Sequence, residues 1–165
     1  MYLILMRSGE CVPLDTGGRD SDRFLTPDGI KDAVSSALFL ASLGIEPKAI
    51  LSSPFRRTKE TAEIISEHLP ENPEVIVAPY IMPGAGVEEL LRSVKSRTEC
   101  GEEDWIIAVG HEPDIGCTAK ELLGLANECF IPLEPASLIA LHIHCCEGKT
   151  SGKIVFLFSP KAMRN

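Results

Sequence analysis

Three apolar runs, each breaking directly into a polar turn, constrain what this chain can fold into more than any other feature. They are Tyr2–Met6 before Arg7-Ser8-Gly9, Ala49–Leu51 before Ser52-Ser53-Pro54, and Trp105–Val109 before Gly110-His111-Glu112-Pro113. Unbroken apolar segments of this length suit strands buried on both faces of a parallel sheet. Ligands of open α/β sheets bind at the carboxyl edge of the strands, so all three polar tips are expected on one rim.

Between the runs lie helical patterns. Thr26-Pro27-Asp28 reads as a helix start, with Thr26 as N-cap, and Gly44 as its stop. Ile30, Ala33, Val34, Ala37, Leu38 and Ala41 recur at helical spacing and are the expected inner face. Ser53 and Pro54 read as the cap and first residue of a second helix, with Thr58, Ala62, Ile65 and Leu69 inward. Val75–Val77 is a third strand, Pro79–Gly86 a loop and Val87–Val94 a short helix. An acidic turn follows over Glu99–Asp104. After the third apolar run, Ile115, Ala119, Leu122 and Leu123 mark a further helix. Ser137–His144 and Lys153–Phe158 read as a hairpin joined by Glu147–Gly152. The order β-α-β-α-β-α-β-α-β-β implies an α/β fold: a three-layer α/β/α sandwich with a mostly parallel sheet and an antiparallel edge.

The 165 residues contain no repeat or linker, so one domain over 1–165 is expected. A net charge of −8 argues against a nucleic-acid or anionic-membrane partner and requires any anion site to be local. No run is long enough to span a membrane, and Arg7 interrupts a short N-terminal run that lacks a basic flank, so a signal peptide is not expected. The six cysteines have no framework spacing, which points to reduced thiols and a cytoplasmic protein; a monomer is expected.

Arg7, Arg57 (one turn into the second helix) and His111 would converge at the shared rim with small hydroxylated residues. A phosphoryl group requires such a set: planar guanidinium forks, backbone N–H groups at helix starts and an imidazole able to donate. Taken singly, each has a plainer explanation, as a surface arginine, a solvated helix face or a satisfied histidine. Their occurrence at three equivalent junctions is what makes them a set.

The residues Met6-Arg7-Ser8-Gly9-Glu10 resemble the Arg-His-Gly signature of the histidine phosphatase superfamily, which has the phosphoglycerate mutase-like fold. Leu51–Ala62 resembles its second phosphate-binding segment, and Val109-Gly-His111-Glu-Pro113 the strand that bears its second histidine. The short chain, Arg23–Gly29 and Ala136-Ser137 look most like the SixA-type phosphohistidine phosphatases.

The resemblance implies that Arg7 and Arg57 clamp a phosphoryl group, or phosphate or sulfate in its place, while His111 stabilises it. Position 8 would carry the covalent phosphoryl intermediate. Gly9, Arg23, Ser53 and Glu112 would bind substrate, and a phosphohistidine-bearing signalling or phosphotransfer protein would be the partner. No metal or other cofactor is implied. Two departures stand out. Ser8 occupies the position of the nucleophilic histidine, and serine is a poor nucleophile without a base. Pro79-Tyr80-Ile81 occupies the stretch where many larger members place an acidic residue, which favours phosphohistidine, whose leaving group needs less help. The expected activity is therefore phosphohistidine hydrolysis impaired by Ser8. The alternatives are a phosphate-binding pseudoenzyme and a small-molecule phosphatase. Cys11 is a nearby thiol in the loop. His142 and His144 share one face of a strand beside Cys145 and Cys146, which suits an exposed edge strand better than a metal site.

Overall fold

The chain alternates strand and helix as its pattern requires. The strands are β1 (Tyr2–Arg7), β2 (Pro47–Ser52), β3 (Val75–Val77), β4 (Trp105–Gly110), β5 (Leu138–Cys146) and β6 (Lys149–Phe158). The helices are α1 (Pro27–Ser42), α2 (Arg56–His68), α3 (Val87–Arg97) and α4 (Asp114–Leu122). This computed structural model describes residues 1–84, 86–97, 101–126, 128–129, 131–146 and 149–164.

The six strands form one sheet in the order β3-β2-β4-β1-β5-β6. β1 pairs in parallel with β4, and β4 in parallel with β2, which also pairs in parallel with β3. β5 runs antiparallel to both β1 and β6. The three motif-bearing strands therefore lie side by side, with β4 in the middle.

Alternation along β1 divides the core. Leu3 and Leu5 face the layer of α3 and α4 with Leu90, Ile115 and Leu122. Ile4 and Met6 face the layer of α1 and α2 with Ala37, Leu40, Ala62 and Ile65. Burial on both faces is why the strand reads as a continuous apolar run rather than an alternating one.

α1 starts as expected: the Thr26 side chain accepts from Gly29 N at 3.0 Å. Its inner face is only partly the expected one: Ala33 and Ala37 are buried as expected, whereas Ile30 and Leu38 are not. Gly29, Asp32, Ala33, Ser36, Ala37 and Leu40 are buried, while Ile30 and Leu38 are 45% and 56% exposed. Small residues let the helix lie close to its neighbours, and the Ser36 hydroxyl donates to Ala136 O at 2.7 Å. The closest approach is at Gly29, where an added Cβ would sit 2.1 Å from Glu10 O. Gly29→Ala is expected to destabilise the protein by about 2–3 kcal/mol, because the clash is with backbone. An unchanged urea midpoint would contradict this packing.

Other boundaries also shift. α2 begins at Arg56 with Phe55 as N-cap, so Ser53 is not the cap; its hydroxyl is used elsewhere. α3 runs on to Arg97, and a 3-10 turn over Pro79–Ile81 opens the preceding loop. Strand pairing continues to Cys146 and Lys149, so most of the expected hairpin link is strand. β5 lies inside the sheet, and the His142 ring stacks on Tyr2 at 4.4 Å and meets His144 at 4.1 Å. The edge-strand explanation of that pair is thus corrected. Glu99 and Cys100 of the acidic turn, Glu147-Gly148, and the side chains of Cys145 and Cys146 lie outside the described residues.

Candidate phosphoryl site at the carboxyl edge of the sheet

The rim formed by β1, β2 and β4 opens into a cavity of about 380 Å³ lined by Arg7, Ser8, Gly9, Glu10, Cys11, Arg23, Arg57, His111, Glu112 and Pro135. Three junctions far apart in sequence meet here because their strands are neighbours in the sheet.

Backbone pairing fixes position 8. Ser8 N donates to Gly110 O at 3.1 Å, and Ala136 N donates to Ser8 O at 3.1 Å. Ser8 is 5% exposed and lines the cavity. The next amide, Gly9 N, donates to Thr61 Oγ1 at 3.0 Å, which ties the turn to α2. A Cβ at Gly9 would lie 2.8 Å from Gly29 O, so the turn also requires glycine for space.

Arg7 Nη1 donates to Leu133 O at 2.7 Å, and Leu133 N donates to Glu112 Oε1 at 3.2 Å. The Leu133 backbone is thus held on both sides of its Cα by the two side chains. Burial pushes the Glu112 carboxyl above its ordinary range, opposed by the backbone N–H groups of Leu133 and Gly116 and by Arg7.

Arg57, only 9% exposed, reaches across the cavity. It donates to Asp20 O at 2.8 Å, to Asp20 Oδ2 at 3.0 Å and to His111 Nδ1 at 3.1 Å. Arg23 donates to the other Asp20 oxygen at 2.8 Å and to Val12 O at 2.6 Å. Asp20 therefore bridges two arginines, and these bonds, chiefly that from Arg23, hold its carboxyl below the ordinary range despite partial burial. The guanidinium of Arg57 also lies 4.9 Å from the Phe55 ring centroid.

His111 has both ring nitrogens engaged. A guanidinium only donates, so Nδ1 must be the acceptor and the ring proton lies on Nε2, which donates to Ser53 Oγ at 2.8 Å. Burial, reinforced by the Arg57 charge, lowers its pKa from 6.5 to about 4. The folded protein thus holds a neutral imidazole where the unfolded chain binds a proton. Between pH 6.5 and about 4 the unfolded state binds more protons, so stability falls as pH falls through this window. Urea unfolding should show that loss, and His111→Gln should flatten it.

Of the sequence-predicted residues, Arg7, Ser8, Gly9, Arg23, Arg57, His111 and Glu112 line one cavity. Ser53 does not; it is fully buried behind His111 and orients the ring. Cys11 lies in the wall, whereas Tyr80 stands over half exposed in a neighbouring depression that also touches His111. Sequence reasoning missed Asp20, Thr61 and Leu133. Asp20 lies in the segment between β1 and α1, which has no period, and a backbone partner such as Leu133 leaves no signature in residue type.

The sequence model of the histidine phosphatase superfamily (branch 1) matches residues 3–80, which include the first two junctions. An uncharacterized protein of Picosynechococcus sp. is 30% identical, with 98% of each chain covered. The phosphohistidine phosphatase SixA of Escherichia coli (strain K12) is 29% identical over 124 residues, 74% of each chain. In three dimensions, a structure of the protein histidine phosphatase SixA complexed with tungstate superposes with a TM-score of 0.82 at 23% identity, covering 99% of this chain and 100% of that one. The chain belongs to the histidine phosphatase superfamily. Within it, the similarity to SixA expected from the motifs is present in both sequence and fold.

The helices include none long and apolar enough to cross a membrane among the described residues.

Proposed function

We propose that this chain is a phosphohistidine phosphatase of SixA type, acting on a phosphorylated signalling or phosphotransfer protein, and that Ser8 makes its turnover slow. One observation supports this above the rest: Arg7, Arg57 and His111 surround position 8 in a single polar cavity. In this reading Arg7 and Arg57 bind the phosphoryl oxygens, and His111, accepting from Arg57, holds that guanidinium against the charge that builds up during transfer. Arg23, at the wall of the cavity, contacts the phosphoprotein. Asp20 must release part of Arg57 when the phosphoryl group enters, because both are anions seeking the same donors.

In the slow step, the Ser8 oxygen bonds to phosphorus as the phosphorus–nitrogen bond breaks. The hydroxyl proton passes to the departing imidazole, and water then cleaves the phosphoserine ester. Serine needs a base for this. His111 is committed to Arg57 and Ser53, which supports the second reading, a phosphohistidine-binding module with no turnover.

Two measurements on the unaltered chain separate these readings: calorimetric titration with inorganic phosphate, and phosphate release from a histidine-phosphorylated protein. Binding with slow release fits the first reading. Binding with no release selects the second. No binding removes both, and rapid release through an acid-stable phosphoserine overturns the impairment assigned to Ser8.

A further inference from the structure

The apolar residues that α1 turns away from the core continue into a groove beside the cavity. The groove lies between α1 and α2, holds about 320 Å³, and is lined by Phe24, Leu25, Ile30, Arg56, Glu60, Glu63, Ile64 and Glu67. Phe24 and Ile30 are each 45% exposed. Half-buried Val34 and exposed Leu38 follow Ile30 at four-residue intervals and extend the apolar stripe along one side of α1. Contiguous exposed apolar surface bordered by charge marks an interaction site rather than a solvated face.

The charge at the border is negative. Glu63 and Glu67, one turn apart on α2, are exposed and form no ion pair among the described residues. Glu60 is already used: it accepts from Leu25 N at 2.8 Å and pairs with Arg56 at 2.7 Å. Arg56 in turn covers Phe24, with its guanidinium 5.0 Å from the ring centroid. The groove also adjoins the cavity through the chain itself. Arg23 lines the cavity and Phe24 the groove; Arg57 lines the cavity and Arg56 the groove. Both helices follow parallel strands and start at the same edge of the sheet, so the groove runs from the rim downward along them.

We propose that this groove docks an amphipathic helix of the phosphoprotein, one whose apolar ridge is bordered by lysine or arginine and whose adjoining phosphohistidine enters the cavity. The occupant is defined by complementarity. Phe24, Ile30 and Ile64 accept the ridge in the helix-in-groove mode, and Glu63 and Glu67 attract the basic border. Two linked contacts bind a protein substrate more strongly than a free phosphate compound, because the second forms at high effective concentration. The inference rests on the phosphoprotein reading above.

The test uses a helical peptide of about 20 residues made of leucine and lysine in an amphipathic pattern, and a counterpart with glutamate for lysine. Each is followed by fluorescence anisotropy, and inorganic phosphate is titrated separately. The lysine peptide should bind at least tenfold more tightly than the glutamate peptide. The double variant Glu63→Lys/Glu67→Lys should weaken it at least tenfold and leave phosphate binding unchanged, as should Ile30→Ser. Carrying a phosphohistidine at one end, the lysine peptide should bind more tightly than without it. Equal binding of the two peptides, or no effect of the variants, overturns the proposal. So does concentration-dependent dimerisation abolished by Leu38→Ser, which would make the face a contact between copies. Loss of phosphate binding in the unaltered chain with the peptide results intact would instead remove the proposed function and leave the groove.

Discussion

Ser8→His is expected to raise turnover of a histidine-phosphorylated protein by about a hundredfold or more, the cost of holding a reacting atom about an ångström out of place. Position 8 is well placed for a nucleophile: it is pinned between Gly110 O and Ala136 N and opens into the cavity. What it lacks is reach and basicity. A serine hydroxyl ends one bond beyond Cβ and is a weak nucleophile while it keeps its proton, whereas an imidazole nitrogen extends further and offers a more basic lone pair. The cavity of about 380 Å³ leaves space for the larger ring. The variant should also accumulate an acid-labile phosphoryl group in rapid-quench experiments, while Ser8→Ala should bind inorganic phosphate about as well as the unaltered chain. Equal turnover by the serine and histidine forms would refute the role assigned to this position.

Arg57→Ala should weaken inorganic phosphate binding roughly thirtyfold or more, equivalent to about 2 kcal/mol, the lower range for removing one partner of a buried charge pair. The side chain is nearly buried, touches His111 and Asp20, and presents a planar fork to the cavity. A lysine cannot reproduce that fork, so Arg57→Lys should recover little of the loss. The neighbouring Arg56 supplies an internal control. It points into the groove and pairs with Glu60, and Arg56→Ala should leave phosphate binding within about twofold, as surface ion pairs contribute little. Calorimetric titration gives the affinities, and urea midpoints report whether either variant has lost its fold. Less than a threefold effect of Arg57→Ala in a folded protein would remove this arginine from the phosphate site.

The contrast between Arg56 and Arg57 shows what the residues alone reveal. Both sit in one dipeptide, and only membership in a segment resembling a known phosphate-binding motif distinguished Arg57. The elements were legible because their signals are local: continuous apolar runs for β1 and β4, Thr26-Pro27 for the start of α1, Gly44 for its end. The inner face of α1 was legible only in part. The periodic pattern found Ala33 and Ala37, but close packing added Gly29, Asp32 and Ser36, which an apolar count passes over, and left Ile30 and Leu38 outside. Likewise Ser53 reads as a cap, but its hydroxyl is hydrogen-bonded to a ring 58 residues away.

The sequence by itself determined the strand and helix order, the three polar junctions and the positions of Arg7, Ser8, Arg57 and His111. The elements and junctions follow from period, turn chemistry and residue type, and the choice of Ser8 and of Arg57 over Arg56 from the resemblance to known motifs; all are properties of short stretches. Only the tertiary structure decided that β4 lies between β1 and β2, which brings the junctions together. It also decided that Asp20 bridges Arg23 and Arg57, and that His111 is neutral, with both nitrogens engaged. The physical reason is that sheet order, burial and the direction of a hydrogen bond depend on distant segments meeting in space, and no window of sequence contains both partners.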